Sequence, residues 1–209
     1  MNFQLPNIDK EFGENFEENA RQVILKSRQN FDENLLQSFK FTKNSDQNFD
    51  ENFYQKQALV LILSTDFNSQ DKPLIRWLIC DFCKSIQAGF WVDLRSVMAL
   101  LGFMLYKNME NSDLPFLYMT KFEACSDSAF SVDIEIVLGF DEQQSIDYLN
   151  DNKKANPQYK KIIQTIKKYS KNKTTPFRTY AEYCDFFENY RFAIRQEQIA
   201  EDCGLIEWE

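Results

Sequence analysis

Residues 72–107 read KPLIRWLICDFCKSIQAGFWVDLRSVMALLGFMLYK, and the reading of this stretch decides the fold. It carries Trp77 and Trp91, the Cys80-x-x-Cys83 pair and the densest apolar content of the chain. A membrane span needs about 20 consecutive apolar residues. Here Arg76, Asp81, Lys84, Asp93, Arg95 and Lys107 interrupt the run, so it reads as the core of a globular domain. Leu74, Ile75, Leu78, Ile79, Phe82, Cys83 and Ile86 recur with the period of one helical face. Pro73 suits a first turn, Gly89 a break, and Asp93 the start of a second helix that runs to about Lys107. That second helix is apolar nearly all round, the mark of an element buried on most sides.

The rest of the chain is more polar and packs around this antiparallel hairpin. The expectation is a mainly α, single-domain bundle of about eight or nine helices spanning residues 1–209. An α+β alternative, with short strands near 58–64 and 131–138, stays open because short apolar runs fit either period. Twenty Phe supply a core, while five Gly and five Pro are too few for a turn-rich β fold.

Working outward, residues 1–12 read as extended and loosely ordered. Asn15-Phe-Glu-Glu-Asn19, Asn30-Phe-Asp-Glu-Asn34 and Asn48-Phe-Asp-Glu-Asn52 each show capping-box spacing. They predict helix starts near Glu14, Phe31 and Phe49, the last helix running to about Thr65. Downstream, Ser131–Phe140 and Asp141–Asn150 suggest a helix–turn–helix about Gly139. Residues 157–172 form an amphipathic helix, and a last helix runs from about Thr179 to Ala200 with Tyr183, Phe186, Phe187, Tyr190 and Ile194 inward.

The chain has no histidine, no GxGxxG and no GxxxxGK[ST]. The usual neutral-pH base and phosphate loops are therefore missing. Cys80, Cys83, Cys125, Cys184 and Cys203 are odd in number and scattered, which points to reduced thiols in a cytoplasmic protein. Asp141–Glu142 or Asp133–Glu135 could serve as acid/base or Mg²⁺ pairs, but no apolar pocket context singles either out. No catalytic, metal or cofactor residue is assigned. Arg76, Asp81 and Arg95 sit in the apolar centre and should be paired, through Arg76–Asp81 or Asp93–Arg95 contacts.

Charge is segregated. Net charge is −8, yet residues 153–178 hold nine basic residues and no acid. Residues 179–209 carry a local −6. The lysines are expected to offset the acidic C-terminal helix, and the acidic remainder makes nucleic acid an unexpected partner. That remainder suits a basic protein partner, whose encounter it would steer. Candidate contacts are Asp133, Glu135, Asp141, Glu142, Asp147 and Asp151, with Glu182, Asp185 and Glu188 near the end. Glu201 and Asp202 extend the second group.

In profile the chain resembles the small helical immunity proteins that bacteria encode beside secreted or contact-delivered toxins. The resemblance covers roughly residues 72–150: the aromatic-rich pair around Trp77 and Trp91, and the Val132–Gly139 and Asp141–Asn150 segments. It implies an inert, acidic, monomeric cytoplasmic binder that covers a basic toxin domain's active face, with no membrane association. The alternatives are a helical scaffold or adaptor for a peptide or protein, and a nucleic-acid-associated regulator using residues 153–178.

Overall fold

The computed structural model describes residues 3–44, 49–90, 92–124, 128–154, 156–172 and 176–207. Trp91, Cys125, Asn48 and Lys173 lie outside them. The helices are α1 (Asp9–Phe12), α2 (Phe16–Gln29), α3 (Phe53–Ser64), α4 (Lys72–Gln87), α5 (Arg95–Lys107) and α6 (Leu114–Phe122). They continue as α7 (Ser128–Ser131), α8 (Glu135–Leu138), α9 (Glu142–Asn152), α10 (Gln158–Asn172), α11 (Tyr180–Tyr190) and α12 (Phe192–Asp202). Two-residue strands β1 (Lys43–Asn44) and β2 (Phe49–Asp50) pair antiparallel before α3. The chain is predominantly α-helical, as expected.

The central hairpin is α4–α5, with Gly89 at φ 81° between the helices. Helix α5 is covered by α3, α4, α6, α7, α8, α11 and α12, which accounts for its all-round apolar sequence. Gly102 lets two neighbours come close: a Cβ there would lie 3.1 Å from Ile136 Cδ1 and 3.2 Å from Thr120 Oγ1. Helices α2, α4 and α6 line up in one row and α3 and α5 in a second, over which the α11–α12 hairpin packs. The α9–α10 hairpin is attached at the side, through α6 and α8.

A local device recurs between rows. Asp71-Lys72-Pro73 and Asp113-Leu114-Pro115 each follow a 3₁₀ turn and open a helix. Each buried Asp accepts a backbone N–H three residues back, from Asn68 at 2.8 Å and Glu110 at 2.7 Å. Its other oxygen takes an arginine from the preceding outer helix, Arg28 at 2.7 Å and Arg76 at 2.6 Å. Arg76 therefore pairs with Asp113 and not with Asp81. The expected Asp93–Arg95 pair is present at 2.5 Å.

Asp81 belongs to a different network. Lys56 is wholly buried and donates to Asp50 Oδ2 at 2.7 Å and Asp81 Oδ2 at 2.8 Å. Lys84 caps the other Asp81 oxygen at 2.6 Å. Backbone N–H groups of Thr42 and Asn52 donate to Asp50, and that of Phe41 to Asp81. Two carboxylates and two ammonium groups thus balance, and they fasten residues 41–44 and 49–52 onto α3 and α4. Such a cluster satisfies buried charge without adding much net stability over an apolar one.

Several expected boundaries shift. The asparagine repeats do not supply the caps: Asn15 sits at φ 65° without a side-chain cap, and Asp9 instead accepts the Glu17 N–H at 2.8 Å. Around Asn30 only a 3₁₀ turn, Glu33–Leu36, forms, capped by Asp32. The third helix starts at Phe53, after the strand pair. Residues 58–63 are helical and fully buried, so the strand alternative there falls. The 131–138 region also lacks a strand and forms the single turns α7 and α8. Within residues 3–12 the chain forms α1, and Ile8 beside it is fully buried. The final helix is two helices, broken at Arg191. Phe187 and Phe192 both pack on the Phe103 ring, at 4.3 and 5.7 Å, which turns the chain across α5. Tyr190 and Ile194, expected inward, are in consequence exposed.

Candidate functional site

A cleft of about 780 Å³ lies between the α8–α9 turn, the C-terminal half of α10 and the start of α11. Ligand sites typically fall in this size range. Its walls are set by local sequence. Gly139, at φ 74°, reverses the chain after α8; a Cβ there would come within 2.3 Å of Ser145 Oγ. Ser145 Oγ in turn donates to Leu138 O at 2.8 Å, and Tyr106 OH donates to Gly139 O at 3.1 Å. Asp141 then caps α9, its Oδ1 accepting the N–H groups of Gln143 and Gln144 at 2.9 Å. Across the cleft, Thr179 and Glu182 form a capping box that starts α11. The Thr179 N–H and hydroxyl hold the Glu182 carboxyl below its usual range.

On the floor, buried Glu135 pairs with Arg178 at 2.8 Å. The Arg178 guanidinium also lies 3.9 Å from the Phe186 ring centre. Phe140 and Tyr180 approach at 4.8 Å between centroids. Tyr180 donates to Lys107 O at 2.6 Å, and burial pushes its phenol up to about 12. Lys167 and Lys171 line the α10 wall.

The predicted contacts separate into three groups. Glu135, Asp141 and Glu142 line the cleft. Asp133 is half-buried against Tyr183, whose phenol is raised first by burial and then by the Asp133 charge. Asp147 and Asp151 project from the outer face of α9, and Glu182, Asp185 and Glu188 from α11. Glu188 pairs with Lys107. Asp147, Asp151, Glu182 and Asp185 have no cationic partner among the described residues; Asp147 and Asp185 accept only from Gln143 and Asn189.

Among the described residues the lysine segment makes no ion pair with the C-terminal acids, which it was expected to offset. Helix α10 packs on α9, α6 and α8, and among the described residues its one ion pair is Lys161–Glu123 at 3.4 Å. The aromatic pair Phe140–Tyr180 was not anticipated, whereas the cleft cations Lys167, Lys171 and Arg178 fall within the basic segment 153–178. A Phe directly after a helix-ending Gly was the available signal.

Cys83 and Cys203 are buried, and burial raises the half-buried Cys80 and Cys184 thiols, so these cysteines behave as packing groups. Among the described residues no group of three His, Cys, Asp or Glu side chains could hold a metal ion, and no helix is long and apolar enough to cross a membrane. Comparison with protein-family models, curated proteins and solved structures gave no match.

Proposed function

We propose that this protein acts by contact instead of turnover, as an immunity-type binder that neutralises a basic toxin domain by covering its working surface. The supporting observation is the uncompensated acid of α9 and α11. Several carboxylates of the core rows are instead matched with cations: Asp66 and Asp71 with Arg28, Asp113 with Arg76, Asp50 with Lys56, Glu110 with Lys72. Asp147, Asp151, Glu182 and Asp185 are left facing solvent without such a partner, on two helices that flank one cleft. Complementary charge of this kind speeds encounter and selects the partner more than it adds raw affinity. The exposed Tyr190 beside these acids is the residue type that anchors interfaces.

The test is binding to the product of the neighbouring reading frame, with inhibition of that product's toxicity as the functional readout. Binding should be tight and weaken with salt. Asp147→Lys combined with Asp185→Lys should weaken it by at least tenfold, mainly by slowing association. Unchanged affinity in that variant would refute the acidic face as the contact.

A further inference from the structure

We infer that the outer face of α10 is a track for single-stranded nucleic acid, ending at the aromatic pair of the cleft. Cations are the minority charge in this chain, 24 against 32 acids. Half of the described ones outside α10 are tied to carboxylates, Arg28, Arg76, Lys56, Lys72, Lys84 and Lys107 among them. Yet Lys160, Lys167, Lys168 and Lys171 are exposed on one helix with no anionic partner among the described residues. A surplus of acid could have neutralised them, so their freedom is not forced by composition.

Their placement defines a path. A groove of about 460 Å³ between the end of α9 and α10 is lined by Lys153, Lys160 and Lys167 over the Ile163 side chain. Lys167 also lines the 780 Å³ cleft, so the two depressions meet there, and Lys171 continues the row. From Lys160 to Lys171 the row covers about 16 Å at 1.5 Å per residue. That is roughly the length of five stacked nucleotides at 3.4 Å each. At its end Phe140, 44% exposed, offers a ring face beside Tyr180.

Cationic grooves with a stacking platform are how single strands are held without sequence readout. Lysine is a point charge suited to backbone phosphates, without the planar fork that reads carboxylates in pairs. The α10 outer face carries no large apolar side chain that could enter a lipid interface. The exposed carboxylates Asp147 and Asp151 on neighbouring α9 would repel the second strand of a duplex.

The experiment is fluorescence anisotropy of a labelled ten-residue oligothymidylate titrated with the full chain. Micromolar binding is expected at 50 mM salt. Three or four phosphate contacts would weaken it about 20- to 50-fold at 200 mM, from a slope near −0.7 per contact. Lys160→Glu with Lys167→Glu should lose at least tenfold, and Phe140→Ala roughly tenfold. Lys10→Glu with Lys26→Glu, equal in charge but on other helices, should bind as the parent does. Circular dichroism checks that each variant is folded. No binding at 50 mM salt would overturn the inference, as would equal loss in both charge-reversed pairs. Equal competition by a DNA duplex of the same length, or by inorganic tripolyphosphate, would overturn it too.

Discussion

Lys56 and Lys167 are the same side chain in opposite settings. Lys56 is completely buried, held by Asp50 and Asp81 and 4.9 Å from the Phe82 ring centre. Lys167 stands in solvent at the junction of two depressions with no anionic partner among the described residues. Around Lys56, charge is consumed in joining a loop to two helices. Along α9, α10 and α11 it is left over, and left-over charge is what an external partner can use. The contrast separates groups that hold the fold from groups free to act, without any catalytic signature to guide the division.

Three variants press on this contrast, in descending order of effect. Lys56→Met removes the ammonium that, among the described residues, Asp50 and Asp81 share. It should cost about 3–5 kcal/mol in urea unfolding, the usual penalty for leaving buried charge uncompensated. A loss below 1 kcal/mol would mean the network contributes nothing to the attachment of the loop.

Asp202, half-buried near the end of α12, lies between the extremes. Burial, with help from Asp93 and Glu201 and against Arg95, pushes its carboxyl up from 3.8 to about 6. Between those values the folded chain holds more protons than the unfolded one, so stability should fall as pH rises through that window and then level off. Asp202→Asn should remove this slope. Allowing for solvent screening at a half-exposed site, it should add roughly 1 kcal/mol at pH 7, read from denaturation at pH 4.5 and 7.

The smallest effect belongs to the free lysines. Lys160→Glu with Lys167→Glu should leave stability within about 0.5 kcal/mol, as exposed substitutions normally do. A large loss would place these residues in the first class and remove them from the second.

The α4–α5 hairpin was legible because period and burial agree there: α5 is apolar all round and is surrounded. The amphipathic α10 was legible for the same reason. The capping repeats misled because an Asn N-cap competes with longer-range donors and acceptors. Asp9 reaches Glu17 from eight residues away, and no local pattern announces that. The break at Arg191 was hidden because an unbroken apolar period continues across it, while Phe103 decides where the chain bends. At the site, the acids of α9 and α11 were visible as residue types. Their lack of partners was not, since pairing depends on which helices become neighbours. Lysine neutralisation by the C-terminal helix failed on that point: adjacency in sequence did not become adjacency in space.

The most direct measurement is a titration of this protein, and of its Asp147→Lys/Asp151→Lys/Asp185→Lys variant, against the product of the neighbouring reading frame at 50 and 200 mM salt. The account predicts salt-sensitive binding by the parent, and at least a tenfold loss in the variant with its fold and unfolding free energy intact. Absence of binding by the parent, or equal binding by both proteins, would contradict it.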